Sequence, residues 1–216
     1  MVIAVFGATG RSGRPFVRQA LERGHTLRVL VRDLARLGDL AQTHGDRISV
    51  IEGSLETPGA IEQTISGSEA IVSLIGHVKK ESAPDMLADA GREITAVAAR
   101  HGVRRLILLT GAGVPYEKDR PRFMDRLVRR ILRMVDGAML QDSINYVRTV
   151  RDSDLDWTVV RGPMLTEEPG SGSYRVGYAG VDVGMKCARE NLATFLMDTL
   201  EEGRYLRDAP VVSDAA

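Results

Sequence analysis

Short apolar runs recur along the chain, separated by longer stretches in which apolar residues return every three or four positions. The runs are Val2 to Phe6, Leu27 to Val31, Ile48 to Ile51, Ala70 to Ile75, Arg105 to Leu109 and Asp156 to Val160. Runs of this length with no polar alternation fit strands buried on both faces. Between the first two, Phe16, Val17, Ala20 and Leu21 fall at helical spacing and Gly24 ends the helix. Amphipathic stretches at Pro58 to Ile65, Pro84 to Arg100 and Met139 to Arg151 fill the later gaps. After Asp156 to Val160 the alternation lapses into the Gly-, Pro- and Ser-rich segment Pro163 to Gly184; a helix over Glu190 to Glu202 and a closing strand near Val211 follow. Strands alternating with helices predict an α/β fold, a doubly wound parallel sheet between two helical layers, α/β/α.

The 216 residues, 44% hydrophobic and 27% charged, suit one domain, 1–216, with a smaller substrate-side region formed by 113–140 and 163–185. No apolar run approaches the roughly 18–20 residues of a membrane span, and Met1 leads straight into a core strand, so a cytoplasmic protein is expected. A net charge of zero argues against a nucleic-acid partner. The single cysteine, Cys187, excludes an internal disulfide and is expected to be buried and inert.

Chemistry should gather where the strands end, because ligands of open parallel sheets sit beyond the carboxyl ends. Here those ends are Gly7 to Gly13, Arg32, Ser54, Gly76, Thr110 to Gly113 and Pro163. The turn Gly7-Ala8-Thr9-Gly10-Arg11-Ser12-Gly13 joins a buried strand to a helix start, which offers free amides and a positive dipole to a dinucleotide pyrophosphate. At the end of the second strand an NAD-specific site would carry an acidic residue. This chain has Arg32, a planar cation suited to the 2′-phosphate of NADP(H), with Arg36 and Arg11 as further contacts. Asp33 beside it could serve a ribose hydroxyl instead, and all three arginines could be solvated and paired with Asp33 or Asp39.

Gly7 to Gly13, Val29-Leu30-Val31-Arg32-Asp33, Asp156 to Pro163 and Ala188 to Leu200 together resemble an atypical branch of the short-chain dehydrogenase/reductase superfamily. The similarity is to NAD(P)H-binding, NmrA-like proteins and to the flavin reductase (biliverdin reductase B) group, and implies a Rossmann-like fold. The resemblance implies that Arg32 holds the 2′-phosphate and that Ser54-Leu55 lies along the adenine. It places Leu74, Ile75, Gly76 and His77 past the ribose and pyrophosphate, with Thr110, Gly111, Pro163 and Met164 lining the nicotinamide end.

The departures from that pattern bear on the reaction. Relatives often carry aspartate at the Ser54 position and, in the flavin reductase group, histidine at the Met164 position. Catalytic members use a serine after the fifth strand and a Tyr-x-x-x-Lys pair on the next helix, where lysine lowers the tyrosine pKa. The serine position reads Gly111; Ile144 and Arg148 stand where the pair is expected, and Tyr146 reads as packing. Two functions follow: an NADPH-dependent oxidoreductase delivering hydride to a small planar substrate such as flavin or quinone, or an NmrA-like redox sensor whose occupancy a protein partner reads. His25, His44, His77 and His101 show no metal-ligand spacing and read as mostly solvated, with His77 at the cofactor edge. Over 121–137, Phe123, Leu127, Ile131 and Met134 alternate with Arg122, Arg126, Arg129, Arg130 and Arg133. That pattern fits a solvated amphipathic helix, a lid, a surface for an acidic partner or a membrane-surface helix. Glu167 to Tyr178 reads as the opposite rim, with Tyr174 and Tyr178 stacking on a flat substrate or capping the core.

Overall fold

The computed structural model describes residues 1–38, 45–77 and 85–215 and, within 123–136, the side chains of residues 126, 130 and 134 only. Asp39, His44, Pro84 and the side chains of Phe123, Leu127, Arg129, Ile131 and Arg133 therefore lie outside the described residues.

Among the described residues ten strands form, seven of them on the expected runs. Six make the parallel body of the sheet: β1 (Val2–Phe6), β2 (Thr26–Val31), β3 (Ile48–Glu52), β4 (Ala70–Ser73), β5 (Arg105–Gly111) and β6 (Asp156–Gly162). The order is β3-β2-β1-β4-β5-β6-β10-β8, where β10 (Val211–Asp214) runs parallel to β6 and β8 (Tyr174–Gly177) antiparallel to β10. This is the doubly wound, three-layered α/β arrangement of a Rossmann-like domain. Alternate β1 residues face opposite cores. Ile3 and Val5 pack with α1 (Gly13–Glu22) and α5 (Arg189–Glu201); Ala4 and Phe6 pack with α2 (Ala60–Ile65), α3 (Met86–Arg100) and α4 (Phe123–Arg151).

Three departures from the sequence pattern have local causes. β4 stops at Ser73, because Leu74 and Ile75 turn to lie against Gly7, while β5 gains Thr110 and Gly111 by pairing with Arg161 and Gly162. The basic stretch 121–137 and the helix expected from Met139 are one continuous helix, α4. Gly137 at the junction costs only about 1 kcal/mol relative to alanine, and the helix is held by the packing of Tyr146, Val147 and Val150 in the core. The irregular segment Pro163 to Gly184 contains β7 (Met164–Thr166) and β8, and β7 pairs with β9 (Lys186–Ala188) in a separate two-stranded sheet. Strands of three or four residues with partners about twenty or more positions away leave no periodic trace.

Among the described residues no helix is long and apolar enough to cross a membrane, and no group of three or more His, Cys, Asp or Glu side chains is placed to hold a metal ion.

Candidate functional site

Because β1 to β6 are parallel and neighbours in the sheet, their carboxyl ends lie on one edge. The turn Gly7 to Gly13 occupies the middle of it. Gly7 has φ +83°, and a Cβ there would stand 2.7 Å from the Leu74 carbonyl, so the turn closes directly on the end of β4. A Cβ on Gly13 would fall 2.0 Å from the Gly7 oxygen. Both glycines are thus demanded by backbone-to-backbone approach. The Gly10 amide donates to the Gly7 oxygen (3.0 Å) and the Arg14 amide to the Gly10 oxygen (3.0 Å). The amides of Arg11, Ser12 and Gly13 have no backbone acceptor among the described residues, and the Ser12 side chain does not cap the helix. Three free donors at the start of α1, beside half-buried Thr9, form an anion cradle.

Beyond β2, Arg32 and Arg36 are exposed. Asp33 is committed elsewhere: it is the N-cap of the 3-10 turn Leu34–Leu37, and its carboxylate accepts the Ala35 amide at 3.0 Å. Arg14, which the sequence reading overlooked, belongs to this corner. Its guanidinium donates to the Arg36 carbonyl at 2.5 Å, reaching from α1 to the turn after β2. Among the described residues, Arg14, Arg32 and Arg36 have no carboxylate partner. Arg11 points across the edge instead, 3.7 Å from Glu167 on the far rim. At the end of β3 the Ser54 hydroxyl accepts the Glu56 amide (3.2 Å), and Leu55 and Ile75 pack into the core under the edge. Leu74 is buried and Gly76 is exposed.

At the other end, Thr110 is half-buried, Gly111 exposed, and the Ala112 amide donates to the Gly162 oxygen (2.7 Å), fastening the β5 turn to β6. Half-buried Pro163 leads to Met164, 57% exposed, whose amide bonds the carbonyl of equally open Met185. The rim is held by Arg189, which donates to Glu167 (2.8 Å) and to the Leu165 carbonyl.

The loop from 113 to 120 is built around a buried ion pair. Arg161 is fully buried and donates two hydrogen bonds to Asp119 (2.8 and 2.9 Å), one to the Ala209 oxygen (2.8 Å) and one to the Val114 oxygen (3.1 Å). Asp119 also accepts the amides of Tyr116 and Ala179. Burial alone would raise the Asp119 carboxyl; the Arg161 guanidinium outweighs it and holds the group below its ordinary value. Tyr178 stacks on Tyr116 and donates to Asp208 (2.7 Å), and Tyr174 packs edge-on against Phe195 and donates to Asp198 (2.7 Å). These contacts tie both half-buried tyrosines to the core.

The positions on α4 where the resemblance expects a tyrosine-lysine pair are Ile144 and Arg148. Ile144 and Arg148 line a cleft of about 380 Å³ with Val114, Pro115, Val147, Arg151, Asp152 and Trp157. The cleft runs from Val114 and Pro115, just past the end of β5, to Trp157 within β6. Tyr146 is buried on α3, its ring where a Gly91 Cβ would be, and its hydroxyl donates to Ser73 (2.8 Å); burial drives that hydroxyl pKa up. α4 contains no lysine.

Two of the histidines, His25 and His77, are less solvated than expected, while His101 is exposed. His25 is buried against Glu201 (2.7 Å), and His101 lies 2.9 Å from Glu62. The His77 side chain is only 7% exposed and stands 3.0 Å from Asp142 of α4, itself 3% exposed. Asp142 carries no sequence signal: its role depends on α3 starting beside it, where the Leu87 and Ala88 amides donate to its two oxygens (2.9 and 3.0 Å). Cys187 is buried, and burial pushes its thiol up to about 12.

Set against known proteins, residues 7–203 match the NAD(P)H-binding family model. A UPF0659 protein of Schizosaccharomyces pombe is 27% identical over 93% of this chain and 85% of its own length. Among solved structures, a short-chain dehydrogenase/reductase from Veillonella parvula in complex with NADP superposes with a TM-score of 0.83 at 21% identity, over 100% of this chain and 95% of that one. An anaerobilin reductase from Escherichia coli superposes with a TM-score of 0.79 at 17% identity, over 99% and 97% of the two chains.

Proposed function

The chain belongs to the NAD(P)H-binding family and carries its dinucleotide-binding domain, and from that premise we propose that it is a cytoplasmic NADPH-dependent reductase that delivers hydride to a small planar acceptor such as a flavin or quinone. The observation that carries the reading is the corner formed by Arg14, Arg32 and Arg36, exposed and without carboxylates among the described residues, next to Asp33 whose carboxylate is already occupied. An arginine held in this way fits a phosphate monoester better than a ribose diol, which favours NADPH over NADH. The Veillonella neighbour was crystallised with NADP, and the Escherichia coli neighbour is named as an anaerobilin reductase, which supports a reductase reading.

The residues present fit the cofactor. The amides of Arg11, Ser12 and Gly13 would hold the pyrophosphate, where a side chain on Gly7 or Gly13 would collide with backbone. Arg32, Arg36 and Arg14 would hold the 2′-phosphate, Ser54 and Leu55 the adenine, and Leu74, Ile75 and Gly76 the ribose side. Thr110, Gly111, Pro163 and Met164 would border the nicotinamide. When bound, the cofactor supplies a hydride. The chain's contribution is positioning: the half-buried floor of Thr110 and Pro163 and the exposed Met164 and Met185 give a flat acceptor an apolar shelf at the hydride end. Arg161 and Asp119 fix the loop beside that shelf.

Steady NADPH oxidation with a flavin or quinone, abolished in Arg32→Glu, is the expected result. No turnover across a broad acceptor panel would overturn the proposal. Tight NADPH binding in that same case would favour a redox sensor, a reading supported by the lysine-free α4 and the packed Tyr146.

A further inference from the structure

We propose that the cleft formed by α4, the loop after β5 and β6 binds a small aromatic monocarboxylate, an inference that does not rest on the reductase reading. None of the residues named for the dinucleotide lines it. Ile144, Val147, Arg148 and Arg151 fall at i, i+3, i+4 and i+7, and so form one stripe along the last turns of α4. Val114 and Pro115 of the loop and Trp157 of β6 supply the other walls. The volume, about 380 Å³, lies near the lower end of the roughly 300–1,000 Å³ of small-molecule pockets, which suits a single ring with a short side chain.

The two arginines of the stripe are in different states. Arg151 is committed: it donates to both oxygens of Glu117 (2.9 and 3.1 Å), and its guanidinium lies 5.1 Å from the Tyr116 ring centroid and 5.8 Å from that of Trp157. Its charge is matched and its plane is fixed. Arg148, one turn earlier, is exposed and has no carboxylate partner among the described residues, although Asp152 stands four positions on and lines the same cleft. Arginines in a last helical turn offset the helix dipole. That accounts for their charge, but not for an apolar recess beside the one that carries no partner.

These surroundings select a ligand by charge and by shape. A carboxylate takes the Arg148 fork in two parallel hydrogen bonds. A ring attached to it buries apolar surface against Ile144, Val147, Val114 and Pro115, and the fixed Arg151–Trp157 pair offers it a flat face. One cation without a carboxylate partner matches one negative charge, and Asp152 repels a second. A neutral aromatic leaves the guanidinium unused, and an aliphatic acid of the same length forgoes the stacking.

Trp157 is the chain's single tryptophan, so its fluorescence reports occupancy of the cleft. The test titrates 3-phenylpropionate, 3-phenylpropanamide and the dicarboxylate 4-(2-carboxyethyl)benzoate into wild type, Arg148→Ala, Arg148→Lys and Ile144→Phe. Trp157 emission and calorimetry read the binding, calorimetry is repeated with saturating NADPH, and urea midpoints show that each variant folds. Wild type should bind the monocarboxylate with a shift in emission, at least about tenfold more tightly than the amide or the dicarboxylate. Arg148→Ala should lose about tenfold in affinity, and Arg148→Lys should recover part of it, since lysine keeps the charge and lacks the fork. Ile144→Phe fills the recess without touching a charge and should weaken binding by about tenfold or more. The inference is overturned by absence of heat and emission change in wild type, by equal affinity for the amide or the dicarboxylate, or by unchanged affinity in Arg148→Ala or Ile144→Phe. Displacement of the probe by NADPH would overturn it too, by placing the probe on the dinucleotide edge. None of these outcomes involves NADPH oxidation, so the reductase reading stands or falls separately.

Discussion

Two groups of arginines on one sheet edge illustrate opposite uses of the same side chain. Arg161 is fully buried, bonded to Asp119 and two carbonyls, and its charge is spent within the fold. Arg14, Arg32 and Arg36, at the end of β2, stand in solvent with no carboxylate among the described residues. A buried guanidinium must be matched by the protein itself, because an unpaired charge there costs several kcal/mol. An exposed one need not be, and a cluster left unmatched is available to an anion from outside. The loop from 113 to 120 is thus held by paired charge, whereas the end of β2 carries charge with no carboxylate partner among the described residues.

Removing one partner tests the first half of this contrast with the largest effect. Arg161→Ala leaves Asp119 buried and uncompensated, and should destabilise the protein by about 3–5 kcal/mol, measured as a shift in the urea midpoint. A loss below about 1 kcal/mol would show that the pair is not what holds the loop. The same pair sets a pH dependence. The folded Asp119 carboxyl lies below its ordinary 3.8, so its contribution is complete above that value and is lost as pH falls through the folded value. Urea midpoints measured from pH 6 downward should therefore drop below about pH 4 in wild type, and less steeply in Asp119→Asn.

On the other side of the contrast, Arg32→Glu should weaken NADPH by about 100-fold, roughly 2.7 kcal/mol, while changing NADH far less and leaving the urea midpoint within about 0.5 kcal/mol. Arg14→Ala should weaken NADPH by about tenfold, and isothermal titration would show it; an unchanged Kd would remove Arg14 from the corner. Smallest of all, Asp33→Ala loses the cap of the 3-10 turn, about 1 kcal/mol or less of stability. It should leave NADH affinity within about twofold, since the Asp33 carboxylate is committed to the Ala35 amide. A large loss of NADH binding would restore Asp33 as a ribose ligand.

How much of this was legible in the sequence follows from the range of the forces involved. The parallel sheet announced itself because each buried strand is a local apolar run, and the glycine turn because Gly7 and Gly13 are required by contacts within or next to it. Arg161 and Asp119 are 42 positions apart, and nothing local in either segment marks them as partners. The short strands β7, β8 and β9 are held by distant partners and were invisible for the same reason. His77 and Asp142 meet only because α3 and α4 pack side by side, which no spacing along the chain records.

The central claim is that the arginines at the end of β2, which have no carboxylate partner among the described residues, select NADPH. Parallel titrations of NADPH and NADH into wild type and Arg32→Ala test it most directly. The account predicts tighter binding of NADPH by wild type, with the gap shrinking in Arg32→Ala as NADPH weakens and NADH stays nearly constant. Equal affinities of wild type for the two dinucleotides would contradict it.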